Sequence, residues 1–593
     1  MIKNLMVCLA LLIPASLLAQ QAPSGGESLF SKPAIGLLTL TNNLKGKTET
    51  IQVEGQPFHE AVRFTTVEST VNIWDVQAIT EVPVEVKAGD VVLAEFWMRA
   101  ANTSVESGEA KSEFVFERSG DPWTKSVSYT LSAGPQWKKF SIPFTIIEDR
   151  PAGGAHICFR MGYHPQAFEL ADLKVTNYGS KVKIADLPQT RVSYEGAESD
   201  APWRKEALDR IEKIRKSDLT LIVKDSKGNL LPGVKVALRM KNQAFRFGTA
   251  VVAKDLAIQG PENERYQMEV ARLFNRVVFE NDLKWGPWEE GASNNGYWQR
   301  QYVQGAMKWL AERNIDVRGH NMVWGTWRYL PGSLKNLSGD PKALEAAIED
   351  RIKDVGGTMK GQLVEWDVVN EPVPEHQLTD LLGQEAMVTW YQTARQVDPK
   401  ALLFVNDYPS PDTTGHLDAY DKVIQFLQQK GAPLGAIGLQ GHVGNSPWSI
   451  PALLQTLDKL GAHGLPIEIT EYDTEISDRT LDAQFMKDFM TAVFSHPSVE
   501  GFIMWGFWDG AHWHKRAPIF NEDWTEKPTG QVYEQLVLRD WRTNTDGVTD
   551  ANGIYRVRAF LGDYEVTISD GSKTVKSAAT LTKDGLPWTV VLK

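Results

Sequence analysis

The stretch "WDVVNEPVPE", residues 366–375, runs through Trp-Asp-Val-Val into Asn370 and Glu371 and is stopped by Pro372. So apolar a run reads as a buried strand, and the residues after it sit at its carboxyl edge, where loops and ligands meet. A glutamate delivered there needs a job or a partner. Seven more runs share the texture: "FRFGTAV" (245–251), "NRVVFEND" (275–282), "DVRGHNMVW" (316–324), "LLFVNDY" (402–408), "AIGLQGH" (436–442), "PIEITEYD" (466–473) and "GFIMWGFWD" (501–509). Amphipathic segments separate them. In one of these, Leu481, Phe485, Phe489 and Val493 recur every four residues and form a helical stripe that can lie on a sheet. Eight strand and helix pairs between residues 244 and 541 predict a closed (β/α)8 TIM barrel. An open doubly wound sheet is disfavoured, because its Gly-rich dinucleotide fingerprint is missing.

The rest of the chain is organised around that barrel. With 593 residues it exceeds what one core can hold, and roughly three to four domains are expected. Residues 23–180 alternate in short runs such as "VVLAEFWMRA" and "AHICFRMGYH", which predicts an N-terminal β-sandwich of jelly-roll type. Residues 181–216 read as a linker ending in a charged connector helix, "APWRKEALDRIEKIRK". Residues 217–243 and 542–593 are β-textured pieces, each too short to bury a core. They are expected to pair into one small prealbumin-like or immunoglobulin-like sandwich, with the barrel inserted between them.

A net charge of −12 without a basic block argues against nucleic acid or an anionic membrane as partner. Residues 1–19, with one lysine, an apolar run and Ala19, read as a secretory signal and imply a secreted or periplasmic protein that is free of the membrane after cleavage. The run is shorter than the ~20 residues of a spanning helix, which disfavours an uncleaved anchor. Cys8 would leave with the signal, so Cys158 has no partner for a disulfide. The chain is read as a monomer.

The ends of the eight runs present a consistent chemistry. The second offers Glu280, Asn281 and Lys284, the third His320 and Trp324, the fourth Asn370 and Glu371, the sixth Gln440 and His442, the seventh Glu471, and the eighth Trp505 and Trp513. Two carboxyl groups, amides, imidazoles and flat indoles, with no clustered His and Cys and no Ser-His-Asp set, describe a sugar site. Acetal hydrolysis at neutral pH needs a proton for the leaving oxygen and a negative charge against the oxocarbenium-like carbon, which two carboxyls with separated pKa values supply. Strand alternation places Ile467, Ile469 and Glu471 on one face of the seventh run, with Glu468 and Thr470 on the other. No metal or other cofactor is required.

The stretches "FNRVVFENDLKW", "RGHNMVW", "WDVVNEP", "VNDY", "IGLQGH", "ITEYD" and "WGFWDGAHW", in that order across residues 245–540, resemble the glycoside hydrolase family 10 endo-β-1,4-xylanases. The resemblance implies Glu371 as acid/base and Glu471 as nucleophile of a retaining double displacement on xylan through a covalent glycosyl-enzyme intermediate. It further implies that Glu280, Asn281 and Lys284 hold sugar on the non-reducing side, and that His320 and Asn370 hold it at the cleavage point. Gln440 and His442 would lie near the nucleophile with Asp473 orienting the histidine, and Trp505 and Trp513 would wall the pocket. Two departures stand out. Trp324-Gly325-Thr326-Trp327 replaces the family's common Trp-His-Ser-Gln, and Gly441 stands where a serine is usual.

The N-terminal sandwich resembles, by texture alone, the carbohydrate-binding modules often joined to such barrels. In "VVLAEFWMRA" the face of Val92, Ala94, Phe96 and Met98 is apolar, and the opposite, mixed face offers Trp97 as a sugar platform. Two alternatives to xylanase activity remain at this level: a related β-glycanase acting on another β-1,4-glycan, and a carbohydrate-binding barrel without activity.

Overall fold

The computed structural model describes residues 22–68, 70, 72–103, 110–133, 136–190, 193–290, 300–411, 414–443, 447–474, 476, 478–512 and 517–593. The chain divides into two compact units, Met1–Val192 and Ser193–Lys593.

The first unit is built from two sheets. One runs Gly46–Gln52, Glu60–Thr66, Gln166–Asn177, Val91–Thr103, Lys138–Thr145, with Glu27–Ser28 paired to the end of Gln166–Asn177. The other runs Thr39–Leu40, Gln77–Glu81, Ala155–Arg160, Ala110–Arg118, Lys125–Ala133. All these pairings are antiparallel, and side chains alternate between core and outer face. Val92, Ala94, Phe96 and Met98 enter the core, where Phe96 of one sheet meets Phe159 of the other edge-on at 5.1 Å. Trp97 points the other way, but its ring is half-buried in a satellite cluster with Phe58, Ala171 and Trp137. Part of the Trp97 ring is thus taken up by packing against Phe58 and Trp137.

In the second unit the connector helix, Pro202–Ile214, starts with proline at a position that has no hydrogen bond to lose. Arg204 forks onto Asp488 with two contacts of 2.5 Å, and Tyr194 Oη donates to the same carboxylate at 2.6 Å, which anchors the connector to helix Arg479–Ser495. Lys216–Asp225 then lies between Ile554–Phe560 and Leu586–Leu592, while Lys235–Gln243 lies between Asn544–Val548 and Gly562–Ser569. Chain segments on either side of the barrel therefore complete each other's sheets.

The barrel strands are β1 (Arg246–Val251), β2 (Arg276–Phe279), β3 (Asp316–Gly319), β4 (Glu365–Asn370), β5 (Leu402–Asp407), β6 (Ala436–Leu439), β7 (Ile467–Tyr472) and β8 (Val499–Met504). Each pairs in parallel with the next, and β8 pairs with β1, so the ring closes and no sheet edge remains. Helices alternate with the strands. In Arg479–Ser495, Asp478 caps the first turn by accepting from the Thr480 and Leu481 amides, and Leu481, Phe485, Phe489 and Val493 are buried.

The lower interior of the barrel is charged. Arg276 contacts Glu365 and, at 2.8 Å, Glu468; Arg318 contacts Asp367 and, at 3.1 Å, Glu365. Burial and the neighbouring Glu365 charge push the Glu468 carboxyl above the ordinary carboxylate range. Glu468 therefore points into the barrel, opposite to the face expected from strict alternation with Glu471.

Removing one partner from such a network strands a buried charge. Arg318→Met should destabilise the barrel by about 3–5 kcal/mol in urea unfolding. A loss under ~1 kcal/mol would mean the network is replaceable by apolar packing.

Candidate active site

Glu371 follows the last residue of β4 with φ at 54°, a conformation costly for a residue with a Cβ. Three hydrogen bonds hold it there. Its amide donates to Asn406 O at 2.7 Å, Trp324 Nε1 donates to Oε2 at 3.0 Å, and Gln440 Nε2 donates to Oε1 at 2.9 Å. Burial pushes its carboxyl up, and the nearby charges of Glu471 and Asp407 add to this against the bond from Gln440, to about 7. Glu371 thus keeps its proton up to about pH 7.

Glu471, at the end of β7, has the opposite environment. Asn406 Nδ2 donates to its Oε1 at 2.7 Å, His442 Nε2 lies 3.4 Å from Oε2, and His320 Nδ1 lies 4.0 Å from Oε1. Burial raises its pKa, but His320, His442 and Lys284 outweigh burial and bring it to about 2. His442 is itself held by Asp473, Nδ1 to Oδ1 at 2.7 Å. Burial favours neutral imidazole, yet the carboxylates of Asp473 and Glu471 push His442 up to about 10. His320 is gripped from below, Nδ1 to Asp367 Oδ2 at 2.9 Å, which ties the upper pocket to the charged layer beneath it.

Two register irregularities aim these groups. In β7 the pairing slips between Ile469 and Tyr472, and consecutive residues Thr470 and Glu471 both reach Asn406, Thr470 Oγ1 at 2.7 Å from its Oδ1. In β4 the slip lies between Asp367 and Val369, and Asn370 Oδ1 accepts from Asn406 Nδ2 at 2.9 Å although Glu365 and Asp367 already point inward. The correction to strict alternation thus has a physical cause. A bulge adds a residue, and the side chains beyond it change face.

The remaining predicted groups line the same pocket, with one exception. Lys284 Nζ donates to Asn281 Oδ1 at 3.1 Å and lies 5.2 Å from the Trp324 ring and 5.7 Å from the Trp505 ring; burial holds its ammonium below the ordinary lysine range. Burial pushes the Glu280 carboxyl up, against the opposing field of Lys284. Trp505 meets the His320 ring edge-on at 5.1 Å. Trp513 lies outside the described residues. Asn406, which links Asn370 to Glu471, escapes the strand-end reading, although "VNDY" puts it at the carboxyl end of β5.

At the two glycines among the departures, the local geometry disfavours a larger side chain. A Cβ on Gly325 would lie 2.3 Å from the Glu375 carbonyl oxygen, so no larger residue fits unless this backbone moves. Gly441 has φ at 89°, and a Cβ there would crowd Ile469 at 3.0 Å. The Trp327 amide bonds Gln377 Oε1 at 2.8 Å, and Tyr329 stacks on Trp324 at 4.0 Å.

Comparison with known proteins places this geometry. Residues 236–536 match the profile of glycosyl hydrolase family 10. The chain is 33% identical over 368 residues to the anti-sigma-I factor RsgI6 of Acetivibrio thermocellus, covering 62% of this chain and 47% of that protein. It is 32% identical over 371 residues to endo-1,4-beta-xylanase 1 of Arabidopsis thaliana, covering 62% and 38% respectively. The chain thus spans less than half the length of these two relatives. Among solved structures, xylanase 10B from Thermotoga petrophila in complex with xylobiose is 24% identical with a TM-score of 0.45, covering 50% of this chain and 95% of that one.

The two carboxyls should titrate far apart. In carbon-detected NMR of glutamate-labelled protein, Glu371 should change near pH 7 and Glu471 should show no step above pH ~3. Glu471→Gln removes a charge that raises Glu371 and should lower the Glu371 midpoint; an unchanged midpoint would mean the two groups do not share a pocket.

Proposed function

Since the chain belongs to glycosyl hydrolase family 10, we propose that it is a secreted, retaining endo-1,4-β-xylanase that cleaves internal β-1,4-xylosidic bonds by double displacement. The observation that carries this reading is the pair of buried glutamates held in opposite protonation states, Glu371 near 7 and Glu471 near 2. A family whose relatives include plant endo-xylanases supports the choice of xylan. Export, read from the apolar leader, suits a polymeric substrate found outside cells.

In this mechanism Glu371 donates its proton to the leaving glycosidic oxygen while Glu471 attacks the anomeric carbon, which leaves a glycosyl ester on Glu471 and Glu371 ionised. Glu371 then takes a proton from water as the water attacks, and the ester breaks with a second inversion. Asn406 and the His442 imidazolium hold Glu471 in place as its charge is consumed and restored. Gln440 and Trp324 hold Glu371 through both of its roles. Asn281 and Lys284 supply polar contacts for sugar hydroxyls, and the indole of Trp505 suits the apolar CH faces of a pyranose.

The steric need for Gly325 alters the wall beside Trp324, so the polymer accepted is tested directly. Reducing-sugar release should be strong on glucuronoxylan or arabinoxylan and weak on carboxymethylcellulose, and the reverse order would indicate another β-glycanase. With xylan, proton NMR should show β-configured reducing ends appearing first; α-configured ends would contradict a retaining path. Activity should fall above pH ~7 as Glu371 loses its proton, with the acid limb set by Glu471 near 2. Glu371→Ala should lower kcat by about 10²–10⁴-fold; a variant that binds xylan as before while the parent hydrolyses nothing would point to a binding-only barrel.

A further inference from the structure

The helix Pro341–Met359, which leads from β3 to β4, buries Leu344, Ile348, Ile352, Val355 and Met359. One charged residue shares that buried stripe. Arg351 is 2% exposed, and among the described residues no carboxylate pairs with it. Burial pulls its guanidinium down to about 9, and the more distant charges of Glu289 and Asp354 offset only part of this. A cation in such a place is costly unless strong acceptors meet its N–H groups.

Those acceptors are backbone carbonyls of two different loops. Arg351 Nη2 donates to Leu283 O and, at 3.0 Å, to Asn321 O, while Nε lies 3.4 Å from Met322 O. Leu283 directly precedes Lys284, and Asn321 directly follows His320. Lys284 and His320 are, with His442, the groups that bring Glu471 down to about 2. The helix backbone is close to the same loop, since a Cβ on Gly356 would lie 3.3 Å from the Met322 methyl. The Trp285 ring lies 5.9 Å from the guanidinium carbon. Nη1 is enclosed without a hydrogen bond among the described residues, so an apolar side chain would pack here at less cost.

We propose that Arg351 is a positioning residue: by bridging the Leu283 and Asn321 carbonyls it fixes the two loops at one separation, and so sets where Lys284 and His320 stand relative to Glu471. A planar guanidinium suits the task, because its N–H groups leave in fixed directions from one rigid fork. The side chain of His320 is held by Asp367, and that of Lys284 by Asn281 within its own loop. Arg351 adds the tie between the two loops. Glu471 also faces His442, itself held by Asp473, and the carboxyls of Glu280 and Glu371. Among the described residues Arg351 makes no hydrogen bond to these, so its influence on Glu471 passes through the two loops. What this does for sugar turnover rests on the function proposed for the barrel; what it does for Glu471 does not.

The test uses the full chain with Arg351→Met, Arg351→Lys and, as a control two turns away on the same helix, Leu344→Ala. In carbon-detected NMR the Glu471 midpoint should move up by about one pH unit in Arg351→Met, as the cations drift from it. Turnover of xylotetraose, as kcat/KM, should fall about tenfold to a hundredfold in the same variant. Lysine keeps the charge but has no fork to span both carbonyls, so Arg351→Lys should fall between Arg351→Met and the parent in both readings. Leu344→Ala should lower the urea midpoint while kcat/KM stays within about twofold of the parent and Glu471 titrates as before. An unchanged Glu471 midpoint in folded Arg351→Met overturns the proposal, as does an equal shift in Leu344→Ala. Where Arg351→Met does not fold, Arg351→Lys decides, and readings identical to the parent overturn the bridging role. The titration needs no turnover, so a parent that hydrolyses no xylan, with the Glu471 midpoint still moving in Arg351→Met, supports the positioning role and overturns the barrel's proposed activity instead.

Discussion

Glu471 keeps a negative charge inside a closed barrel because His320, His442 and Lys284 offset what burial would cost it, and Asn406 accounts for one of its oxygens. Each of these partners is itself held. Asp473 fixes His442, Asp367 fixes His320, and Asn281 bonds Lys284. A hundred residues earlier in the chain, Glu371 has among the described residues an amide and an indole N–H as its side-chain hydrogen-bond partners, and burial pushes its carboxyl up to about 7. One pocket therefore holds two identical side chains in opposite states, and the difference lies wholly in their neighbours.

The charged layer under the pocket extends this logic downward. Asp367 joins Arg318 to His320, and Arg318 and Arg276 join Glu365 and Glu468 across the barrel. Apolar residues of similar volume often stabilise an interior as well as or better than buried ions. What the ionic layer supplies is position: a histidine held on Asp367 cannot turn away from Glu471 without leaving a buried carboxylate partly unpaired.

The barrel is legible in the sequence because eight apolar runs alternate with amphipathic helices and each run ends in a polar cluster. Glu371, Glu471 and His442 are legible for the same reason, as polar residues placed where apolar strands stop. The orientation of Glu468 is not. Alternation fails at the slip between Ile469 and Tyr472, a bulge that no residue type in "IEITEY" announces. Asn406 is hidden differently, since its role depends on reaching across from β5 to Asn370 and Glu471, and contacts between strands leave no trace in one sequence. In the first unit the alternation of "VVLAEFWMRA" locates the core, but which tryptophans stay exposed depends on the loops that carry Trp74 and Trp123. Trp97, conspicuous on its strand, is partly covered by Phe58.

The central claim is that Glu471 forms a bond to sugar carbon, and peptide mass spectrometry can see that bond. After incubation with a 2-deoxy-2-fluoro-xylobioside bearing a good leaving group, which slows release of the ester more than its formation, the peptide containing Glu471 should gain the mass of one 2-deoxy-2-fluoroxylobiosyl group. In Glu471→Gln no such adduct should form. An unmodified Glu471 peptide in enzyme that the reagent has inactivated, or an adduct on any other residue, would contradict the account.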